Sequence, residues 1–338
     1  MALAFARKFP RGNMTVQATK NSDVEQIAFL ALSSLKGVGY WTLFRLKQEG
    51  FLLHEIINSD DGDEVADTLR KRGAKVGETS NDWSSTAARA LDRAFRVKEE
   101  LLLDGVQLIM SGDPSFPVRL YDLEDPPQWL FVRGSVEVLS EQSIAAVGTR
   151  KPSDDGEWLS RYVGMNLKDW NVPTVSGLAA GMDQLVHQYS IRMGVKTIAV
   201  LGTGIRTEYP KGSSRLADEI VDTGGAVITE YLINDSYSGE NFVRRNRLQA
   251  ALSKVLIPIE WSHKSGTAHT VSYAGKLGRP IAGLRLPDWS TDRVGFPASC
   301  TRARIFSIPR DQELFFRFVV DGLRAPIASQ QNQLLLFE

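Results

Sequence analysis

Apolar positions recur at helical spacing in the first third of the chain and then gather into short β-branched runs. Ile27, Leu30, Ala31 and Leu35 share one helical face. Asp23, with Gln26 three residues on, reads as the N-cap of that helix. Lys36-Gly37-Val38-Gly39 interrupts it, and Trp41–Gln48 begins the next helix. Asp61–Arg72 and Ser84–Leu103 form a second helical pair, joined by a polar connector between Gly73 and Trp83. Strand-like runs follow at Val106–Met110, Trp129–Val132, Ile144–Val147, Thr174–Val175, Thr197–Leu201, Ala226–Thr229, Val255–Ile259 and Pro280–Leu284. Between several of them lie the helix-length segments Glu157–Trp170, Gln184–Met193, Ser213–Thr223, Arg245–Ser253 and Ala268–Leu277. Strand alternating with helix predicts an α/β fold, a mostly parallel sheet covered on both faces, behind a small helical domain. Beyond Leu286 the pattern weakens to a loop over Asp288–Thr301, a last strand at Ile305–Ile308 and a helix at Gln312–Leu323. The expected organisation is a flexible tail over 1–22, a helical domain over 23–104 and a binding core over 105–310. A C-terminal helix, linker and terminal peptide fill 311–338.

At 338 residues the chain is long enough for two domains and a sizeable core. Lys+Arg and Asp+Glu both number 40, which excludes a bulk polycation and leaves room for a local basic groove. The single Cys300 excludes an intramolecular disulfide framework and a cysteine-ligated zinc site. It fits a reducing, cytoplasmic setting. No stretch approaches the ~18 apolar residues that span a bilayer. The start of the chain lacks the sustained apolar segment of a secretory signal. No metal and no cofactor are expected.

The chemistry concentrates between Ile144 and Ala274, where glycine turns end strand after strand. Val147-Gly148-Thr149-Arg150 lets a ligand approach the backbone and offers a guanidinium fork, with Ser153 and Asp154 as caps of the next helix. Ser176-Gly177-Leu178-Ala179-Ala180-Gly181-Met182-Asp183 keeps a second turn small before another helix N-terminus. Asp183 and His187 stand at i,i+4, better explained as a helix cap and a packed residue than as a hydrolytic pair. Leu201-Gly202-Thr203-Gly204 followed by Tyr209-Pro210-Lys211 adds an aromatic and a cation, without a Walker or GxGxxG pattern. Arg244-Arg245-Asn246-Arg247 reads as the basic wall of a nucleic-acid groove, against the alternative of a salt-bridged surface helix. Asn246 either meets a base edge or fixes the loop. Ser265-Gly266-Thr267 can cap the following helix and bind an oxyanion there. The Lys36–Gly39 turn resembles that of a helix-hairpin-helix, although a plain glycine turn between packed helices explains it better. No convincing catalytic set accompanies these turns, so the chain reads as a binding protein, not an enzyme.

The order of these motifs, together with Thr229-Glu230, Phe242, Leu252-Ser253 and Glu260, resembles the DNA-processing protein A family (DprA, also called Smf). Asp113-Pro114-Ser115-Phe116-Pro117, Leu120, Asp125-Pro126-Pro127 and Phe131-Val132-Arg133-Gly134 resemble that family's entry into its core, so the likeness runs from about Ala28 to Arg279. The resemblance implies an extended Rossmann-like core behind a small helical (SAM or helix-hairpin-helix-like) domain. It implies single-stranded DNA binding by a homodimer that hands the strand to the RecA recombinase. By that likeness Arg150, Lys211, Arg245 and Arg247 contact DNA, and Gly177, Gly181, Gly202 and Gly204 line the phosphate pocket. Gly148, Thr149, Ser176, Leu178, Arg244, Asn246, Ser265, Gly266 and Thr267 complete the expected binding set. The chain departs from the family after Arg279, where neither a Pro-Gly turn nor room for a full winged helix is present. Val243 and Ala251 stand where Pro and Gly are frequent. Those departures leave dimer formation and the RecA contact without sequence support.

Gln333-Leu334-Leu335-Leu336-Phe337 resembles the peptide that docks on the bacterial polymerase sliding clamp. Gln333 would be its polar anchor, and Leu334, Leu336 and Phe337 its apolar knobs. Two rival readings stay open: a sensor of a small nucleotide, and a nucleotide N-glycosidase using Glu230 or Glu260.

Overall fold

The computed structural model describes residues 15–76, 82–289 and 295–326. The chain divides into two compact units, Met1–Glu100 with Met110–Pro114, and Leu101–Ile109 with Ser115–Glu338.

The first unit is helical: α1 (Thr15–Ser33), α2 (Tyr40–Gln48), α3 (Leu53–Ile57), α4 (Gly62–Lys71) and α5 (Trp83–Leu103). Phe29, Leu32, Leu43, Leu46, Leu53, Ile57 and Leu69 are almost wholly buried. Helix α1 starts at Thr15, so Asp23 lies inside it and is not its cap. No glycine or proline interrupts 15–33, and nothing stops the helix earlier. Asp23 instead pairs with Lys98 at 2.8 Å. The Lys36–Gly39 turn is held from within: Gly37 has φ +89°, and a Cβ there would fall 2.2 Å from the Lys75 carbonyl oxygen. The Gly37 carbonyl accepts from Lys75 N–H at 2.9 Å, as the plain-turn reading requires.

The second unit carries the strands β1 (Val106–Met110), β2 (Trp129–Gly134), β3 (Ile144–Gly148), β4 (Thr174–Ser176), β5 (Thr197–Val200), β6 (Ala226–Thr229), β7 (Val255–Ile259), β8 (Ile281–Arg285) and β9 (Ala303–Ser307). Among the described residues they form one sheet in the order β1-β2-β6-β5-β4-β3-β7-β8-β9. From β6 to β9 every neighbour is parallel, and β2 joins β6 antiparallel. Buried β-branched runs on both faces are what a covered parallel sheet needs, so the predicted strands match closely. Helices α6 (Asp154–Trp170), α7 (Met182–Arg192), α8 (Ser214–Asp222), α9 (Gly239–Leu252), α10 (Thr267–Lys276) and α11 (Gln312–Arg324) accompany it. Phe315, Val319 and Leu323 of α11 are buried in one core cluster with Val255, Ile257, Ala282 and Phe306 of β7, β8 and β9.

The order of strands reverses between β3 and β7: β3 leads through α6 to β4 on one side, and β7 leads through α10 to β8 on the other. Loops leaving the carboxyl ends of two such strands diverge and leave a crevice. At the opposite edge, cations answer helix C-termini. Arg279 Nη2 donates to the Ala251 carbonyl in the last turn of α9 at 3.3 Å, and Arg302 Nη1 to the Gly278 carbonyl just past α10 at 3.1 Å. Lys254 Nζ donates to the Ala325 carbonyl that ends α11. Arg119 Nη2 donates to the Leu139 carbonyl at 3.1 Å, and burial pushes its guanidinium down to about 10.

Candidate nucleic-acid interface

A cavity of about 470 Å³ opens in that crevice. The end of β3 supplies Gly148, Thr149 and Arg150, the start of α10 supplies Ser265, Gly266 and Thr267, and α9 supplies Phe242, Arg245, Asn246 and Gln249. Helix α9 presents Phe242, Arg245 and Gln249 at i, i+3 and i+7, one face of a helix. That face runs from an aromatic ring through a cation to a neutral amide.

Helix α9 begins at Gly239, with Ser238 Oγ accepting from Asn241 N–H at 3.0 Å, so the arginines lie mid-helix and not at its start. Their fates then diverge with helical phase. Arg245 is 4% exposed. Its Nη1 donates to the Gly177 and Val200 carbonyls, and Nη2 meets Asp183 Oδ2 at 3.5 Å. Burial depresses its pKa, and the Asp183 carboxylate opposes that shift. Arg247 is wholly buried. Its Nη1 and Nη2 donate to the two carboxylate oxygens of Glu230 at 2.6 and 2.7 Å, and Nε reaches Asp125 at 3.2 Å. Arg244 pairs with Asp125 at 2.5 Å. Arg244 and Arg247 therefore belong to an ion network with Asp125 and Glu230 and do not line the cavity. Lys211 is exposed in a turn and does not line the cavity either.

The glycines are placed by close packing. Gly177, Gly181, Gly202 and Gly204 do not line the cavity. A Cβ at Gly177 would stand 1.9 Å from Arg245 Nη1, and one at Gly202 2.8 Å from the Phe242 ring. One at Gly204 would stand 2.2 Å from the Leu232 carbonyl, and one at Gly181 2.6 Å from the Arg150 carbonyl. Their smallness lets the side chains and turns that shape the cavity come close; they shape it without facing it. Ser176 and Leu178 are buried and do not line this cavity: Ser176 Oγ donates to the Ala146 carbonyl at 2.7 Å, and Leu178 packs with Ala199 and Leu201.

Of the polar residues predicted to cap, Ser265 and Thr267 do other work and Ser153 caps as expected. Gly266, with no side-chain bond, is the N-cap of α10. Ser265 Oγ donates to the Ser262 carbonyl at 2.7 Å, and Thr267 Oγ1 to the Gly148 carbonyl at 2.9 Å. Asn246 Nδ2 donates to the Gly266 carbonyl at 3.0 Å and so fixes the loop. The start of α10 and Arg150 line the same cavity, and a helix N-terminus with a guanidinium is a setting that favours an anion. Ser153 caps α6, accepting from Gly156 N–H at 3.2 Å while its own Oγ donates to Glu260 Oε1 at 2.6 Å. Ser153→Ala is expected to cost ~1 kcal/mol of stability, read from the urea unfolding midpoint.

Asp183 lies in the first turn of α7, whose N-cap is Gly181. Burial raises its pKa against the opposing Arg245 charge. His187 is wholly buried, bonds Thr197 Oγ1 through Nδ1 at 2.7 Å, and is held down to about 3 by burial and then by Arg245. Glu230 and Glu260, the carboxylates of the glycosidase reading, are outside the cavity lining. One is locked to Arg247 and the other to Ser153.

Two buried donors in the lining have no partner among the described residues, Arg245 Nε and Gln249 Nε2. At the mouth, Tyr209 stacks on Tyr237 with centroids 4.7 Å apart and meets Phe242 at 4.9 Å. The Arg150 guanidinium lies 5.3 Å from the Phe242 ring centre. Gln249 escaped the sequence reading. Its signal is a polar residue inside the otherwise apolar run Leu248–Leu252, one turn beyond Arg245. Among the described residues no cluster of His, Cys, Asp and Glu could hold a metal ion, and no helix is long and apolar enough to cross a membrane. The terminal peptide with Gln333, Leu334, Leu336 and Phe337 lies outside the described residues.

Comparison with known proteins gives this arrangement a family. Residues 107–296 match the profile of DNA recombination-mediator protein A. The protein Smf of Synechocystis is 30% identical over 77% of this chain and 64% of its own length. The protein Smf of Escherichia coli is 34% identical over 57% of this chain and 50% of its own. The chain thus spans between half and two thirds of these two relatives. The DNA processing protein DprA of Streptococcus pneumoniae is 30% identical over 71% of this chain and 85% of its own. The X-ray structure of that protein's namesake, DNA processing protein A from Streptococcus pneumoniae, matches with a TM-score of 0.59 and 26% identity, covering 86% of this chain and 97% of that one. DNA processing protein A from Helicobacter pylori, a structure described for its single-stranded DNA binding mode, shares the fold with a TM-score of 0.54 and 22% identity, covering 64% of this chain and 96% of that one. A crevice at the strand-order reversal, this motif order and these matches identify the chain as a member of the DNA recombination-mediator protein A (DprA/Smf) family.

Proposed function

We propose that the chain binds single-stranded DNA in the β3/β7 crevice and acts as a DNA-processing protein without chemistry of its own. The observation that carries this reading is the pair of buried, unpartnered donors, Arg245 Nε and Gln249 Nε2, in a cavity that also holds Arg150 and a helix N-terminus. Buried donors without partners are costly, and an acceptor-rich ligand relieves that cost. Arg150, Arg245 and the first N–H groups of α10 suit phosphate oxygens, and the rings of Tyr209, Tyr237 and Phe242 suit a base. The relatives' names as DNA-processing proteins support the same assignment. A homodimer, transfer of the strand to RecA, a cytoplasmic setting and docking on the sliding clamp through Gln333–Phe337 belong to this reading.

The test is fluorescence anisotropy with labelled single- and double-stranded oligonucleotides across a salt series. Single strands are expected to bind more tightly, with affinity falling steeply as salt rises. Arg150→Ala should weaken binding about tenfold and lower the salt slope by about 1. Equal affinity in the variant would remove the crevice from the reading, and binding of mononucleotides without DNA would favour a nucleotide sensor. Removal of Gln333–Glu338 is expected to abolish co-elution with the clamp; retained co-elution rejects that contact.

A further inference from the structure

We infer that Gln249 reads the edge of one unstacked base in the crevice, so that keto bases bind in preference to amino bases. The inference rests on the DNA-binding reading above and goes beyond it in naming what the pocket selects. Gln249 is 1% exposed, yet it lines the cavity and its Nε2 has no partner. Thr270 Oγ1 donates to its Oε1 at 3.4 Å, which leaves the amide's donor edge turned away from that bond. The charged groups, Arg150 and Arg245, both lie over the Phe242 ring, at 5.3 and 5.5 Å. Gln249 is one helical turn farther along α9, held by Thr270. A phosphate is better answered by cations, while a neutral buried donor is better answered by a carbonyl oxygen. On the edge that carries thymine O4 or guanine O6 the Nε2 donor meets such an oxygen, whereas the matching edge of cytosine or adenine sets the N4 or N6 donor against it, donor to donor. A base must leave its stack to enter, which a single strand permits at little cost.

Anisotropy with oligo(dT) and oligo(dC) of equal length tests this with two pyrimidines of similar size. The full-length chain is expected to bind oligo(dT) about tenfold more tightly than oligo(dC). Gln249→Leu should bring the two affinities together by weakening oligo(dT), with the salt slope unchanged because no phosphate contact is lost. Equal, tight and salt-sensitive binding of both strands by the unmodified chain overturns the base reading and leaves the DNA reading standing. A preference that survives Gln249→Leu assigns it to another residue and also overturns the inference. Absence of binding to either strand rejects the DNA reading itself. The comparison on the unmodified chain holds whether or not the variant folds.

Discussion

Arg247→Ala is expected to destabilise the sheet-bearing unit by about 3–5 kcal/mol. The substitution strips the Glu230 carboxylate, itself 1% exposed, of both its guanidinium bonds at 2.6 and 2.7 Å. Arg244 Nε stays 3.9 Å from Glu230 Oε1, but a buried carboxylate that loses its two short guanidinium bonds has much of its desolvation unanswered, and that costs more than the pair contributed. Asp125 loses one of its two arginines in the same step and keeps Arg244. Urea unfolding reads the loss directly, and a change under 1 kcal/mol would show that water reaches Glu230. The double change Arg247→Met with Glu230→Leu should recover much of the loss, since an apolar pair of similar volume carries no desolvation penalty. The contrast with Arg150→Ala is sharp. One arginine is expected to govern stability and the other affinity, although both belong to the same motif series.

Acid should weaken the fold through His187. Its folded pKa lies near 3, below the ordinary value of 6.5, because it is buried and faces the Arg245 charge. Between those values the unfolded chain binds a proton that the folded chain refuses, so stability rises with pH across the window and is complete above about 6.5. At about pH 4.5 the histidine alone removes ~2–3 kcal/mol. Groups packed against it temper the effect without reversing it. Thr197 and Thr174 do not titrate, and Asp183, whose pKa is raised, contributes in the opposite direction only as pH rises through its own range. His187→Asn keeps an amide near Thr197 and cannot take up the proton. Urea unfolding at pH 7.5 and 4.5 should therefore show a smaller drop in the variant than in the unmodified chain. Equal drops would mean that His187 protonates in place.

The strands were readable because a sheet covered on both faces demands unbroken runs such as Ile144–Val147 and Val255–Ile259, and little else does. The reversal between β3 and β7, and hence the position of the crevice, depends on pairing that no local pattern states. The arginine cluster illustrates the limit. Arg245 and Arg247 differ by two residues and so by slightly more than half a turn of helix, which sends them to opposite faces. What sends Arg247 into an ion network is Glu230 and Asp125, far away in the chain. The glycines carried a similar ambiguity, since a bare backbone admits a phosphate or a packed side chain equally. Only the third dimension shows that Gly177 makes room for the Arg245 guanidinium.

The central pairing of the sheet also sets a timetable for synthesis. Ile144 of β3 lies beside Val255 of β7, so one partner leaves the ribosome about 110 residues before the other. At ~5–20 residues per second that interval is on the order of 5–20 s. During it β4 covers one edge of β3 and the other edge stands open. The crevice needs the start of α10, which follows β7, so a nascent chain cannot close this cavity until Thr267 has been made.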